Sequence, residues 1–195
     1  MFTIASFADS AYVLAGGRSS RFGTNKAYAF WQGQRFLHYQ VRFLQDFFAA
    51  VHVVGPAPDA YQDLGFTEVL VDRFPLCGPL AGLDTALQHQ LCTSGPGWVF
   101  LASCDTFGVT PEQIQMLCDR LPVLADERAL LWSFKGRLEP LWGFYHTDLA
   151  GPVEQALIAG DYGLKRFLAS HPICHLMGEN PWIQVNMPQD LKGIR

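Results

Sequence analysis

The sequence predicts a single α/β domain with a mainly parallel central sheet, and three observations carry that expectation. Short apolar runs alternate with stretches whose apolar residues recur at helical spacing, the strand, helix, strand order that builds parallel sheets. One run, Trp98–Cys104, is apolar almost throughout, as a strand covered on both faces must be. Three predicted strands stop at residues suited to ligands, Gly16, Asp72 and Asp105, and in open α/β sheets ligands gather at the carboxyl ends of strands.

The elements follow in order. Tyr12–Ala15 is a buried strand that ends in Gly16-Gly17. Between Arg35 and Phe48 the apolar residues Leu37, Val41, Leu44 and Phe48 share one helical face, and Ala50–Gly55 is a second, β-branched strand. Tyr61–Leu64 reads as a short helical turn and Thr67–Asp72 as a third strand. Pro79 suits the first position of a helix whose buried face is Leu80, Leu83, Leu87 and Leu91. After the Trp98–Cys104 strand, Thr110 is placed to cap a helix with Ile114, Leu117 and Leu121 inward. Leu130–Phe134 and Leu141–Tyr145 flank Lys135-Gly136-Arg137 as an antiparallel hairpin, Leu149–Ala159 and Leu164–Ser170 are helical, and Trp182–Val185 is a last strand.

A length of 195 residues fits one domain with a sizeable core, and no repeat or linker divides it. Hydrophobic residues at 49% against charged residues at 16% describe a folded chain rather than a disordered one. A net charge of −4 argues against a broad nucleic-acid-binding face, so any phosphate site must be local. No apolar run approaches the ~18 residues of a membrane span, and Met1–Asp9 lacks the basic and apolar regions of a secretory signal. Those two readings lead to the expectation of a cytoplasmic protein, and five cysteines that form no C-x-x-C pair and leave one over in any disulfide scheme predict reduced, mostly buried thiols.

The chemistry is expected around the stretch Ala11–Ala27. Adjacent glycines leave backbone N–H groups open to a ligand, while Arg21 offers a planar fork of donors and Lys26 a compact charge for phosphate oxygens. The spacing matches neither a Walker A loop nor a G-x-G-x-x-G fingerprint; the alternative is a glycine-rich turn carrying solvated basic residues. Asp105 is read as a Mg²⁺ ligand facing substrate phosphates, or as a turn aspartate. Asp72 would accept from a base or sugar, or cap the helix after Pro79; Asn186 would orient a metal-bound water, or form an Asx turn before Pro188. His171-Pro172-Ile173-Cys174-His175 reads as a surface loop, because the proline breaks helical spacing and no companion Cys/His pair is evident. No G-x-S-x-G pattern marks a hydrolase nucleophile.

Taken together, Leu14-Ala15-Gly16-Gly17 through Arg21 and Lys26, Asp72 with Gly78-Pro79-Leu80-Ala81-Gly82, Cys104-Asp105-Thr106, Glu139-Pro140-Leu141 and Asn186–Leu191 form an ordered set. In that order they resemble the molybdenum cofactor guanylyltransferases, within the wider group of nucleotide-transferring enzymes. The resemblance implies a three-layer Rossmann-like domain that moves GMP from GTP to the terminal phosphate of molybdopterin, with Mg²⁺ required and pyrophosphate released. It implies that Leu14, Ala15 and Gly16 border the nucleotide, that Arg21 and Lys26 hold its phosphates, that Asp72 helps bind the nucleoside and that Asp105 carries the metal. The loop Gly78–Gly82 then lies near the nucleotide, and molybdoenzymes or their chaperones are the implied recipients.

The chain departs from that pattern at four places. The family usually reads Arg-Met-Gly and Asp-Lys where this chain has Arg21-Phe22-Gly23 and Asn25-Lys26; an asparagine common after the second strand is replaced around Gly55, and a usual proline is Phe107. Loss of those polar contacts is expected to weaken nucleotide binding or alter base choice. The rival readings are a cytidylyl- or sugar-phosphate nucleotidyltransferase and a non-catalytic nucleotide-binding descendant.

Overall fold

A computed structural model describes residues 10–16, 25–179, 181–187 and 189–190. Gly17 and Arg21, expected in the anion loop, lie outside the described residues. In chain order the elements are β1 (Ser10–Leu14), β2 (Phe30–Trp31), β3 (Gln34–Arg35), α1 (Phe36–Gln45), β4 (Ala50–Gly55), β5 (Val69–Val71), α2 (Pro79–Thr93), β6 (Trp98–Ser103), β7 (Thr106–Phe107) and α3 (Pro111–Arg120). They continue with β8 (Ala129–Phe134), β9 (Arg137–His146), α4 (Ala150–Ile158), α5 (Leu164–Ala169), β10 (Ile173–Gly178) and β11 (Ile183–Gln184).

The main sheet runs in the order β10-β8-β9-β6-β1-β4-β5. Strand β9 is antiparallel to both neighbours, and every other pairing in this sheet is parallel. The expected mixed α/β architecture with a mainly parallel sheet is therefore present, with helices on both faces. On one face α1 contributes Leu37, Val41 and Leu44, and α3 contributes Ile114 and Leu117, to a core shared with Val13, Phe100, Trp142 and Phe144. On the other, α2, α4 and α5 bring Leu83, Val153 and Phe167 against Tyr12, Leu101 and Tyr145. Helix α3 starts as its sequence dictates: Thr110 and Gln113 form a reciprocal capping box, and Pro111 occupies the first turn, where its missing N–H costs nothing.

Four expectations are corrected. Segment 171–175 is a loop only at His171 and Pro172, because Ile173–Gly178 forms edge strand β10, parallel to β8. Its mixed half-buried and exposed pattern follows from lying at the sheet's margin, where one long side has no partner strand. The tail strand is only Ile183–Gln184 and pairs antiparallel with β7, away from the main sheet. The hairpin is real, but β9 begins at Arg137, and its register against β8 shifts between Leu131 and Trp132. All five cysteines are free, yet only Cys104 and Cys118 are buried; Cys92 is exposed.

Two short hairpin strands were not foreseen. Strands β2 and β3 pair with each other, and Trp31 stacks on Phe107 at 4.2 Å between ring centroids. Phe36 meets the same ring edge-on at 4.6 Å, so Phe107 is the hub of a small core of Trp31, Phe36, Phe107 and Val185. An apolar anchor thus occupies the position where the resemblance expects proline.

Candidate active site

A cleft of about 580 Å³ opens where the parallel strands end. Strand β1 delivers Leu14, Ala15 and Gly16 to its wall, β4 delivers Val54 and Pro56, the segment after β5 delivers Asp72, Pro75 and Leu76, and β6 delivers Ser103, Cys104 and Asp105. Helix α2 adds Gly78, Pro79 and Gly82, and Leu141 of β9 closes one side. This is the position at which open parallel sheets hold ligands, because the connections diverge from the strand ends there. The start of α2 lies in the cleft wall, so the positive end of its helix dipole favours an anion there.

Lys26, Asp105 and Asn186, far apart in sequence, come together here. The Lys26 ammonium donates to Asp105 Oδ2 at 2.7 Å and to Asn186 Oδ1 at 3.1 Å. Both members of the ion pair are largely shielded, with side chains 15% and 23% exposed. Asp105 is fixed by its backbone, since its carbonyl accepts from Val185 N–H at 2.9 Å and the preceding Cys104 N–H donates to Leu14 O at 3.1 Å. The two readings of Asn186 separate: the turn is held by the Asp190 carboxylate, which accepts from the backbone N–H groups of Asn186 and Met187 at 2.8 Å, leaving the Asn186 side chain for Lys26.

Asp72 stands across the cleft beside Gly16. A Cβ on Gly16 would lie 3.6 Å from Asp72 Oδ2, so backbone and carboxylate already approach closely. Asp72 Oδ1 is buried with no hydrogen-bond partner among the described residues. Burial, and secondarily the nearby charge of Asp84, push its carboxyl up to about 6. An orphaned buried acceptor at a cleft wall asks for a donor from a ligand. It does not cap α2, whose N-cap is Gly78 without a side-chain cap. Gly82 packs against Leu14, and an added Cβ there would come within 2.6 Å of Leu14 Cδ2, so α2 sits tightly on β1.

Several residues near the cleft escaped sequence reasoning. Arg73, next to Asp72, is tied by ion pairs to Asp84 at 3.0 Å and to Glu154, which anchors the segment after β5 to α2 and α4. Asp84 is fully buried, and the signal for it was present: one carboxylate on the buried leucine face of α2. Cys104 lines the cleft, but burial first, and then the Asp105 charge, push its thiol up to about 12, so it is an inert wall and not a nucleophile.

The donor set suits a hard cation. Asp105 Oδ2 and Asn186 Oδ1 already converge on one positive charge, the Lys26 ammonium, and Mg²⁺ takes oxygen ligands. No group of three or more His, Cys, Asp or Glu among the described residues forms an all-protein cage. Phosphate and water oxygens would complete the shell, as is usual for Mg²⁺.

Known proteins resemble this chain over most of its length. A probable molybdenum cofactor guanylyltransferase of Deinococcus radiodurans is 33% identical over 188 residues, covering 95% of this chain and 93% of that protein. Another, from Geobacillus sp. (strain WCH70), is 30% identical, covering 93% of this chain and 95% of its own length. The crystal structure of molybdopterin-guanine dinucleotide biosynthesis protein A from Archaeoglobus fulgidus shares the fold, with a TM-score of 0.77 over 94% of this chain and 95% of that one at 21% identity. The family model of the MobA-like NTP transferase domain matches residues 11–175, and the chain belongs to that family.

Proposed function

We propose that the protein transfers GMP from GTP to the terminal phosphate of molybdopterin, forming the guanine dinucleotide cofactor and releasing pyrophosphate. The observation that carries the reading is the meeting of Lys26, Asp105 and Asn186 beside the Gly16 backbone, in a chain whose relatives at 30–33% identity bear the guanylyltransferase name. An oxygen of the acceptor phosphate attacks the α-phosphorus, the bond from that phosphorus to the bridging oxygen breaks, and the electron pair leaves on pyrophosphate. Three anionic groups must be gathered for this, so the work is positioning and electrostatic stabilisation.

In this reading the start of α2 and the backbone at Gly16 line the nucleotide's bed, and Lys26 exchanges part of its bond with Asp105 for phosphate oxygens. Asp105, with Asn186 beside it, would hold Mg²⁺, which when bound supplies neutralising charge for the triphosphate. Asp72, as a carboxylate, accepts from the guanine N1–H and exocyclic amine. Arg21 is proposed as a second phosphate ligand on the strength of the sequence. Molybdoenzymes or their chaperones would receive the product. A cytoplasmic site of action is consistent with five free thiols and with the lack, among the described residues, of any helix long and apolar enough to cross a membrane.

The deciding experiment is incubation with Mg²⁺, GTP and molybdopterin followed by mass analysis, with formation of the guanine dinucleotide as the expected result. Repeating it with each of the four triphosphates, and reading pyrophosphate release, separates guanylyl transfer from cytidylyl or sugar-phosphate chemistry. Binding of GTP without turnover in the presence of molybdopterin would instead indicate a non-catalytic descendant.

A further inference from the structure

Both ends of the stretch between Gly16 and Asn25 are tied to one buried residue, Tyr61. Its hydroxyl donates to Ala15 O at 2.7 Å and accepts from Asn25 Nδ2 at 3.3 Å. Tyr61 is completely buried, and burial pushes its hydroxyl up to about 12, so it stays protonated and keeps its single donor. A buried tyrosine hydroxyl needs partners, and here they are the residue before Gly16 and the residue before Lys26. The chain N–H of Asn25, O–H of Tyr61, C=O of Ala15 uses every role once: the amide donates, the hydroxyl accepts and donates, and the carbonyl accepts. The other arm of Asn25 caps the turn that carries Lys26, with Oδ1 accepting from Ala27 N–H at 3.0 Å.

The segment bearing Tyr61 is itself fastened to that turn. The single Tyr28 O–H lies within reach of two acceptors, Asp63 Oδ1 at 2.7 Å and Ala60 O at 3.1 Å. On its other side the Tyr61 ring lies against Gly55, where a Cβ would come within 2.9 Å of Tyr61 Cε2 and equally close to Val69 Cγ1. Two of the positions at which the chain departs from the resemblance, Asn25 and Gly55, therefore face the same aromatic side chain: one supplies its donor and the other makes room for its ring.

We propose that Asn25, Tyr61 and the Ala15 carbonyl form a staple that sets the separation between the Gly16 backbone and the Lys26 ammonium, and so fits the site to a polyphosphate chain spanning both. Tyr61 and Asn25 are positioning residues, acting through Gly16 and Lys26 without touching the ligand. The proposal rests on the reading of the cleft as a triphosphate site, but not on guanine or molybdopterin.

The test is a double-mutant cycle of Tyr61→Phe and Asn25→Ala, read by calorimetry with inorganic tripolyphosphate and with guanosine. Tyr61→Phe keeps the ring against Gly55 and removes only the hydroxyl, so the fold survives. It should weaken tripolyphosphate by about fivefold, the order of one lost buried hydrogen bond, and change guanosine by less than about twofold. Asn25→Ala should weaken tripolyphosphate by about tenfold in the unmodified protein and only about threefold in the Tyr61→Phe background, since residues of one network do not lose energy additively. Equal losses from Asn25→Ala in both backgrounds would overturn the staple. So would equal weakening of the two ligands by Tyr61→Phe, which marks a merely structural role. Because tripolyphosphate carries no base, a failed guanylyl assignment appears in the mass analysis above, and a failed staple appears in the cycle.

Discussion

Asp105 gathers the most chemistry into the fewest atoms, because it lines the cleft just beyond β6 and one of its carboxylate oxygens meets Lys26, which also donates to Asn186. Asp105→Ala should lower turnover by about 10²–10³, the scale of losing one transition-state electrostatic contact, with the fold retained. Pyrophosphate release is the readout, and near-normal rates at limiting Mg²⁺ would remove Asp105 from the site. Lys26→Ala should damage GTP binding far more than guanosine binding in calorimetry, since an ammonium meets charge and not base. At Asp72 the prediction concerns pH. Its carboxyl is raised from 3.8 to about 6, so it titrates inside an accessible range. Above that value the carboxylate offers two acceptors, which match the two donors of guanine; below it the acid offers one donor and one acceptor, which match adenine N1 and the adenine amine. Preference for GTP over ATP should therefore fall as pH drops through about 6 in competition binding, and Asp72→Asn should abolish that pH dependence. The stability sign is opposite to that of an ordinary paired carboxylate. Between about 4 and 6 the folded form binds more protons than the unfolded one, so Asp72 makes the protein less stable as pH rises across that window.

Strand β9 shows how an element shapes the cleft. On β8 the residues Leu131 and Trp132 are consecutive, yet their partners on β9 are Gly143 and Glu139, so Pro140, Leu141 and Trp142 form an excursion that puts Leu141 into the cleft wall. Such irregularities beside sites redirect side chains. Gly143 sits where the ladder closes again, and a Cβ there would lie 2.5 Å from Leu130 O and 2.6 Å from Leu131 Cδ2. Backbone cannot yield as a side chain can, so Gly143→Ala should cost about 1–3 kcal/mol, seen as a lower urea midpoint at unchanged slope. None of this was legible in the sequence, where Leu141–Tyr145 reads as a plain strand. What was legible shares a cause: β1, β6, the second half of β4 and Leu80, Leu83 and Leu87 of α2 are buried, and burial writes continuous or periodic apolar patterns. Strands β2, β3, β7 and β11 are two residues long, too short for any period, and edge strand β10 is mixed with His175 and Met177 exposed. The convergence of Gly16, Asp72 and Asp105 was legible because parallel strands share an end. The Tyr61 contacts were not, since hydrogen bonds from a buried hydroxyl to distant loop ends leave no local pattern.

At the scale of the whole molecule, the cleft belongs to no single element. Its wall is drawn from the ends of β1, β4, β5 and β6 and from the start of α2, so the folded sheet must be intact for the site to exist. Overall the chain carries a net charge of −4, so a polyanion in the cleft would depend on local donors against an unfavourable background. A ligand that needs all these strand ends binds only the folded form, and it raises stability by mass action. At a free concentration of about 100 times its dissociation constant the gain is about 2.7 kcal/mol. For a chain of this size each kcal/mol is worth about 2–4 °C in melting temperature. GTP with Mg²⁺ should therefore raise the thermal midpoint by about 5–10 °C in differential scanning calorimetry. At equal concentration guanosine should raise it less, because it engages the nucleoside side of the cleft and leaves Lys26 paired with Asp105. The Asp105→Ala and Lys26→Ala proteins should lose most of the difference between the two ligands. A guanosine shift matching that of GTP would move the binding energy from the strand ends that carry Lys26 and Asp105 to the base pocket beside Asp72, and the cleft would then be a nucleoside site rather than a triphosphate one.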